Sequence, residues 1–193
     1  EDTRIMAEKV GMSEQAFRDM VIAVTPATDS VSEWIEVMRV GSRQGLDTAA
    51  DLAKFADIWT MVEDATGESA AELANAGKAL QAVGIEANKQ EQALAAFGYV
   101  FEECGIQVGD FLDFIGKAAP NLNALNMSVD DAATALGVLT DRGISGRQAT
   151  SELNRAIEET VKAYGDAAQA VQDLTLENED LISQNKELTE QNS

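Results

Sequence analysis

Six times along this chain a glycine or asparagine precedes a large apolar residue, usually followed in turn by a polar residue suited to opening a helix. The marks are Gly11-Met12-Ser13, Gly45-Leu46-Asp47, Gly84-Ile85-Glu86, Gly105-Ile106-Gln107, Asn126-Met127-Ser128 and Gly143-Ile144-Ser145. Glycine, and to a lesser degree asparagine, tolerates the left-handed backbone that ends a helix, and the apolar residue after it folds back on the last turn. The same apolar side chain can staple the start of the next helix. A chain punctuated in this way is constrained to fold as helices joined by tight turns.

Between the marks, apolar residues recur at helical spacing. Leu52, Phe55, Trp59 and Val62 form one stripe, and Leu73, Ala76, Leu80 and Val83 the next. Leu94, Phe97, Phe101 and Cys104 form a third, and Ile115, Ala118, Leu122 and Leu125 a fourth, with Pro120 expected to break or kink it. Each set follows the last by 21 residues, a candidate internal repeat. The expected helices cover 13–24, 29–42, 47–65, 69–82, 87–103, 108–118 and 128–141, with one long helix from about 146 onward. Capping boxes are expected where Ser69 precedes Glu72 and Ser145 precedes Gln148. No window alternates apolar and polar residues with β-branched enrichment, so strands are not expected. The reading is all-α: a helical domain over 1–145, an array of short helices with Gly/Asn turns, and a long C-terminal coiled-coil helix over 146–193.

The last third has its own pattern. After Ser145 there is no proline, and Gly165 is the only glycine after Gly146. With Leu174, Leu181 and Leu188 at heptad position d, position a holds Val171, Asn178, Asn185 and Asn192. Apolar residues and asparagines at these positions read as an inter-chain seam, in which buried asparagines specify register and strand number. The flanking positions are mostly uncharged (Thr175, Ile182, Thr189, Gln184, Gln191), so salt bridges do little to choose the partner. Self-association as a parallel dimer or trimer is expected, since a lone helix cannot bury the stripe.

Composition narrows the function. Apolar residues make up 45% of the chain but aromatic ones only 5%, which suits closely packed, alanine-rich helices. The 34 acidic residues outweigh 14 basic ones, giving a formal charge of −20. Such a surface repels phosphate backbones and anionic membranes, so neither nucleic acid nor membrane is expected as a partner of this segment. A single cysteine, Cys104, excludes an intrachain disulfide and is expected to be a small buried hydrophobe. No run of about 18 apolar residues is long enough to span a bilayer. The sequence opens at Glu1 without a methionine and is expected to be a piece of a longer protein.

Residues suited to catalysis are scarce. There is no histidine, so the commonest general base and zinc ligand is missing, and no glycine-rich loop matches a nucleotide fingerprint. Ser183 and Lys186 match the spacing of serine acylases, but they lie on the coiled-coil segment, where a chance match is the better account. Adjacent acids such as Glu102-Glu103 and Glu158-Glu159 point about 100° apart on a helix and do not form an acid–base couple. Asp130 and Asp131 fall in a first helical turn, where negative charge suits the helix dipole. No catalytic, cofactor or metal residues are expected.

The run Met127–Ile157 (MSVDDAATALGVLTDRGISGRQATSELNRAI) has a glycine turn at Asp141–Gly146 that leads into a helix. With Gly84-Ile-Glu-Ala and Ala118–Met127 before it, the segment 45–157 resembles the helical domain ahead of the coiled coils of phage tail tape measure proteins. The resemblance implies a structural role: several copies fill the tail lumen, and their length sets tail length. It also implies tail tube protein, tail assembly chaperone and tail tip proteins as partners, in the virion tail and, during assembly, the host cytoplasm. A different reading of the same helices is an adaptor module that its coiled coil merely dimerises. A third is a lytic enzyme, which no residue here supports.

Overall fold

In the computed structural model, residues 2–27 and 30–191 are described, with side chains for 3–27 and 30–187. The fold is all-α, and no strand occurs among the described residues. Among the described residues ten α-helices follow one another: α1 (Asp2–Lys9), α2 (Glu14–Val24), α3 (Val31–Arg43), α4 (Ala49–Thr66), α5 (Ala70–Ala76), α6 (Ala79–Ala82), α7 (Leu94–Glu102), α8 (Val108–Ala124), α9 (Val129–Asp141) and α10 (Gly146–Gln191). A 3-10 segment, Ala87–Ala93, precedes α7. Two compact units result, Glu1–Asn154 and Arg155–Ser193.

The punctuation marks set the turns. Gly11, Gly45, Gly84, Gly105, Asn126 and Gly143 all adopt positive φ, as does Gly67 at the end of α4. At five of the six marks the amide of the apolar residue donates to the carbonyl five residues earlier, as in Ile85 to Leu80 (2.9 Å) and Met127 to Leu122 (2.9 Å). This bond closes an otherwise orphaned helix end. At Ile106 the bond reaches one residue further, to Val100 (2.9 Å).

Several expected boundaries differ. The stretch 69–82 is two helices, with Gly77 following α5; only glycine fits there, since a Cβ would lie 2.2 Å from Trp59 Cζ2. The stretch 87–103 begins as 3-10 helix, which turns the buried face to Ala93, Phe97, Val100 and Cys104 and leaves Leu94 and Phe101 half-buried. Pro120 does not end α8, which continues four residues beyond it. Its ring is exposed, so water can take the unmatched carbonyl, while Ala118, Ala119 and Leu122 stay buried on the other face. The 21-residue interval therefore maps onto unequal elements and is not a structural repeat. Position 29, the expected start of the second helix, lies outside the described residues.

Caps also fall differently. Ser69 precedes α5 without a side-chain cap bond. The reciprocal box is at α9, where Asp131 N–H donates to Ser128 Oγ (3.1 Å) and Ser128 N–H to Asp131 Oδ2 (2.9 Å). At α4 the cap is one-sided: Asp51 N–H donates to Thr48 Oγ1 (3.1 Å), and the Thr48 hydroxyl donates to Asp51 Oδ2 (2.7 Å).

The core of the first unit lies where α3, α4 and α5 meet and continues through α7 and α8. Trp34, Trp59, Phe17, Phe55, Phe97 and Phe111 are fully buried, and rings from Phe55 through Trp59, Phe97 and Phe111 to Phe114 contact in series at 5.7–6.4 Å between centroids. Such offset and edge contacts add about 0.5–1.5 kcal/mol per pair beyond burial. Gln90, itself fully buried, accepts from Trp59 Nε1 (3.0 Å) and donates to Gln44 Oε1 (3.0 Å) and the Gly77 carbonyl (3.1 Å). A polar side chain persists there because these bonds satisfy it.

Glu68, just past α4, reaches 40 residues along the chain. Its carboxylate accepts from the amides of Val108 (2.7 Å) and Gly109 (3.0 Å), the first two residues of α8. Gln107 supplies no side-chain cap, so Glu68 takes that place and sets its charge against the positive end of the helix dipole.

Candidate functional site

The second unit is helical throughout its described length, and its sequence says why. Proline is absent, and Gly165 costs only about 1 kcal/mol inside a helix. Exposed pairs four residues apart brace the outer turns: Gln169 donates to Asp173 (2.8 Å) and Gln184 to Asp180 (2.7 Å).

The same helix exposes an apolar stripe. From Glu158 to Glu187 no described residue is buried. Val171 and Leu174 are each 64% exposed, Ile182 64% and Leu181 51%. Val171, Leu174, Thr175, Asn178, Glu179 and Ile182 line one shallow furrow along the helix. Asn178 and Asn185 are exposed on the same face. The structure thus sets Val171, Leu174, Asn178, Leu181 and Asn185 along one stripe; the side chains of Leu188, Thr189 and Gln191, and all of Asn192, lie outside the described residues. Ile182, first noticed as an uncharged flank, forms a wall of the furrow. Leu176, 59% exposed and outside the seam, had no signal in the heptad pattern.

Charge is sparse along the heptad seam, although Glu179 lines the furrow beside it. Between Leu174 and Leu188 the charged residues are Glu177, Glu179, Asp180, Lys186 and Glu187, and only Glu177 occupies a position beside the seam.

The first unit carries surface clefts of another kind. One of about 540 Å³ lies beside Gln44, Gln81 and Glu86. Another, about 600 Å³, is lined by Glu68, Glu72, Asp110 and Asp113. No described group of three His, Cys, Asp or Glu side chains is placed to hold a metal ion. Cys104 is buried, and burial pushes its thiol up from the ordinary value, partly opposed by a hydrogen bond with Thr140. A protonated buried thiol is a poor nucleophile. No helix among the described residues is long and apolar enough to cross a membrane.

Comparison with known proteins bears on what such a surface is for. Residues 12–191 match the family described as phage-related minor tail protein. The chain is also similar to the tape measure protein of Pneumococcus phage Dp-1, 26% identical over 96 residues, which cover 50% of this chain and 8% of that protein. The chain thus aligns with a small part of that relative. No solved structure matches. With the family match running through both compact units, the chain belongs to the phage-related minor tail protein family.

Proposed function

We propose that this chain is a segment of a tail tape measure protein, acting as a structural scaffold and not as an enzyme. In this reading a helical domain over 1–145 leads into a segment, 146–193, through which copies associate as a parallel coiled coil. Val171, Leu174, Asn178, Leu181, Asn185 and Leu188 form the seam. The partners are further copies of the chain and, through them, the tail tube protein, the tail assembly chaperone and the tail tip proteins. The site of action is the lumen of the virion tail, reached after assembly in the host cytoplasm, and the length of the whole protein sets the length of the tail.

The observation that carries this reading is the exposed stripe on α10, with Val171 and Leu174 each 64% exposed on a family member otherwise built around a dry core. Apolar side chains at heptad spacing on a bare helix gain about 1.5–3 kcal/mol each when another helix covers them. The name of the Dp-1 relative supports the assignment to tape measure proteins within the broader family.

Solution mass by light scattering over a concentration series tests it, on the full chain and on one ending at Gly165. The full chain is expected to associate and the shortened one to be monomeric. A full chain that stays monomeric at every concentration would remove the seam and leave the scaffold reading without its physical basis.

A further inference from the structure

The seam is more repetitive than a zipper needs to be. Leu174-Thr-Leu-Glu-Asn178 and Leu181-Ile-Ser-Gln-Asn185 present the same two core residues, leucine at d and asparagine at a, in successive heptads. Val171, at the head of the furrow, ends the series of asparagines at position a, and Tyr164 holds that position one heptad before it. We propose that Val171 sets the register in which two copies of this chain pair, an inference that rests on the parallel association proposed above.

The occupant of the furrow is a second copy for two reasons. A chain with a formal charge of −20 repels itself unless its contact face is largely spared, and here Glu177 flanks the seam and Glu179 lines the furrow while Asp180, Lys186 and Glu187 lie away from both. An asparagine amide carries both donors and an acceptor, so Asn178 can pair with its own counterpart. Parallel alignment brings each a residue against the same residue of the other copy. Antiparallel alignment would set the amides of Asn178 and Asn185 against leucines and leave them unpaired.

Within parallel pairings, the asparagines cannot fix the register alone. Sliding one copy by seven residues puts Asn178 against Asn185 and Leu174 against Leu181, so these layers match as before. The layers that change are Val171 against Asn178, Ala167 against Leu174 and Tyr164 against Val171. Only the first buries an amide without a partner, so Val171 carries the largest part of the difference between the native alignment and its nearest competitor.

Disulfide trapping tests this in the full chain, with Cys104→Ala removing the buried thiol. Asn178→Cys is expected to cross-link to itself. Mixed with a size-tagged Asn185→Cys chain, it should form less than about a tenth as much 178–185 product as self-product. A shift of seven residues separates the two positions by about 10 Å, beyond disulfide reach in the aligned state. Val171→Asn should raise the 178–185 product several-fold. Positions 171, 178 and 185 are exposed in the single chain, so these substitutions leave its fold intact, and the Cys104→Ala chain serves as the common background. A 178–185 product as abundant as the self-product before Val171 is changed, or one indifferent to Val171→Asn, overturns the register role. Association by light scattering with no self cross-link at 178 overturns the parallel pairing. A monomeric chain overturns the association itself, and the register role with it.

Discussion

The two compact units of this protein are both helical, yet they are stable for opposite reasons. In Glu1–Asn154, short helices of low individual stability are held by an interior that excludes water from Trp34, Trp59, Phe97 and Phe111 and satisfies even a buried glutamine. In Arg155–Ser193, the described residues form one helix that keeps Val171, Leu174 and Ile182 in solvent, with pairs such as Gln169–Asp173 bracing its turns. Isolated helices are marginal in water unless an apolar face is covered. The first unit buries most of its large apolar side chains against its own elements, whereas in the second no described residue from Glu158 to Glu187 is buried.

The comparison breaks most visibly at the seam. Replacing Leu174, Leu181 and Leu188 with alanine removes roughly 1.5–3 kcal/mol of burial per leucine from the association. Light scattering should then show monomers, while urea unfolding followed by tryptophan fluorescence keeps its midpoint, both tryptophans lying in the first unit. Retained oligomers would show that the seam lies elsewhere. The reverse experiment is Trp59→Ala, which opens a cavity among Phe55, Phe97 and Gln90 and should cost the first unit about 3–5 kcal/mol. An unchanged urea midpoint would contradict the packing described here.

Smaller changes sharpen the contrast. Gln90→Ala leaves the Trp59 indole N–H unpaired in the core and should lower stability by about 1–3 kcal/mol, read as a shift in melting temperature, with no effect on oligomer mass. Glu68→Ala removes the cap on α8 and should cost about 1 kcal/mol, with hydrogen exchange speeding first at Val108 and Gly109. The smallest effect is that of pH. The Ser128 backbone N–H and then its hydroxyl hold the Asp131 carboxyl below its usual value. Because the folded value is the lower one, this stabilisation is present above the ordinary carboxylate range and fades as pH falls through the folded value. Acid below the ordinary carboxylate range should therefore loosen the start of α9, and Asp131→Asn should flatten that part of the melting profile against pH.

What could be read in the sequence were features decided by neighbours in the chain. The six turn marks depend on one residue's backbone freedom and on an apolar residue next to it, and all six adopt the left-handed backbone they call for. The stripe on α10 was equally legible, being a matter of spacing alone. Features decided by distant residues were hidden. Glu68 looks like any surface acid until Val108 arrives from 40 residues away, and Gln90 looks like a surface amide until Trp59 and Gln44 enclose it. The need for glycine at position 77 follows from the Trp59 ring, and the passage of α8 through Pro120 from the burial of Leu122. Capping shows the same divide. Ser69 and Ser128 have similar local sequences, and only the second makes the reciprocal bonds.

The order in which elements pack has a consequence for timing. Many of the first unit's packing partners are neighbours or near neighbours along the chain: α1 on α2, α3 on α4 and α5, α7 on α8 and α9. Local partnerships of this kind make for fast folding, on a scale of roughly milliseconds or less, and domains commonly form from the N-terminal side while synthesis continues at about 5–20 residues per second. Trp59 and Phe111 have left the ribosome seconds before Leu174 is added. Most of the core is therefore synthesised before the exposed stripe, although Ala149, Leu153 and Ile157, which complete it, come only shortly ahead. In the proposed association, assembly is then a later, concentration-controlled step than the folding of each subunit.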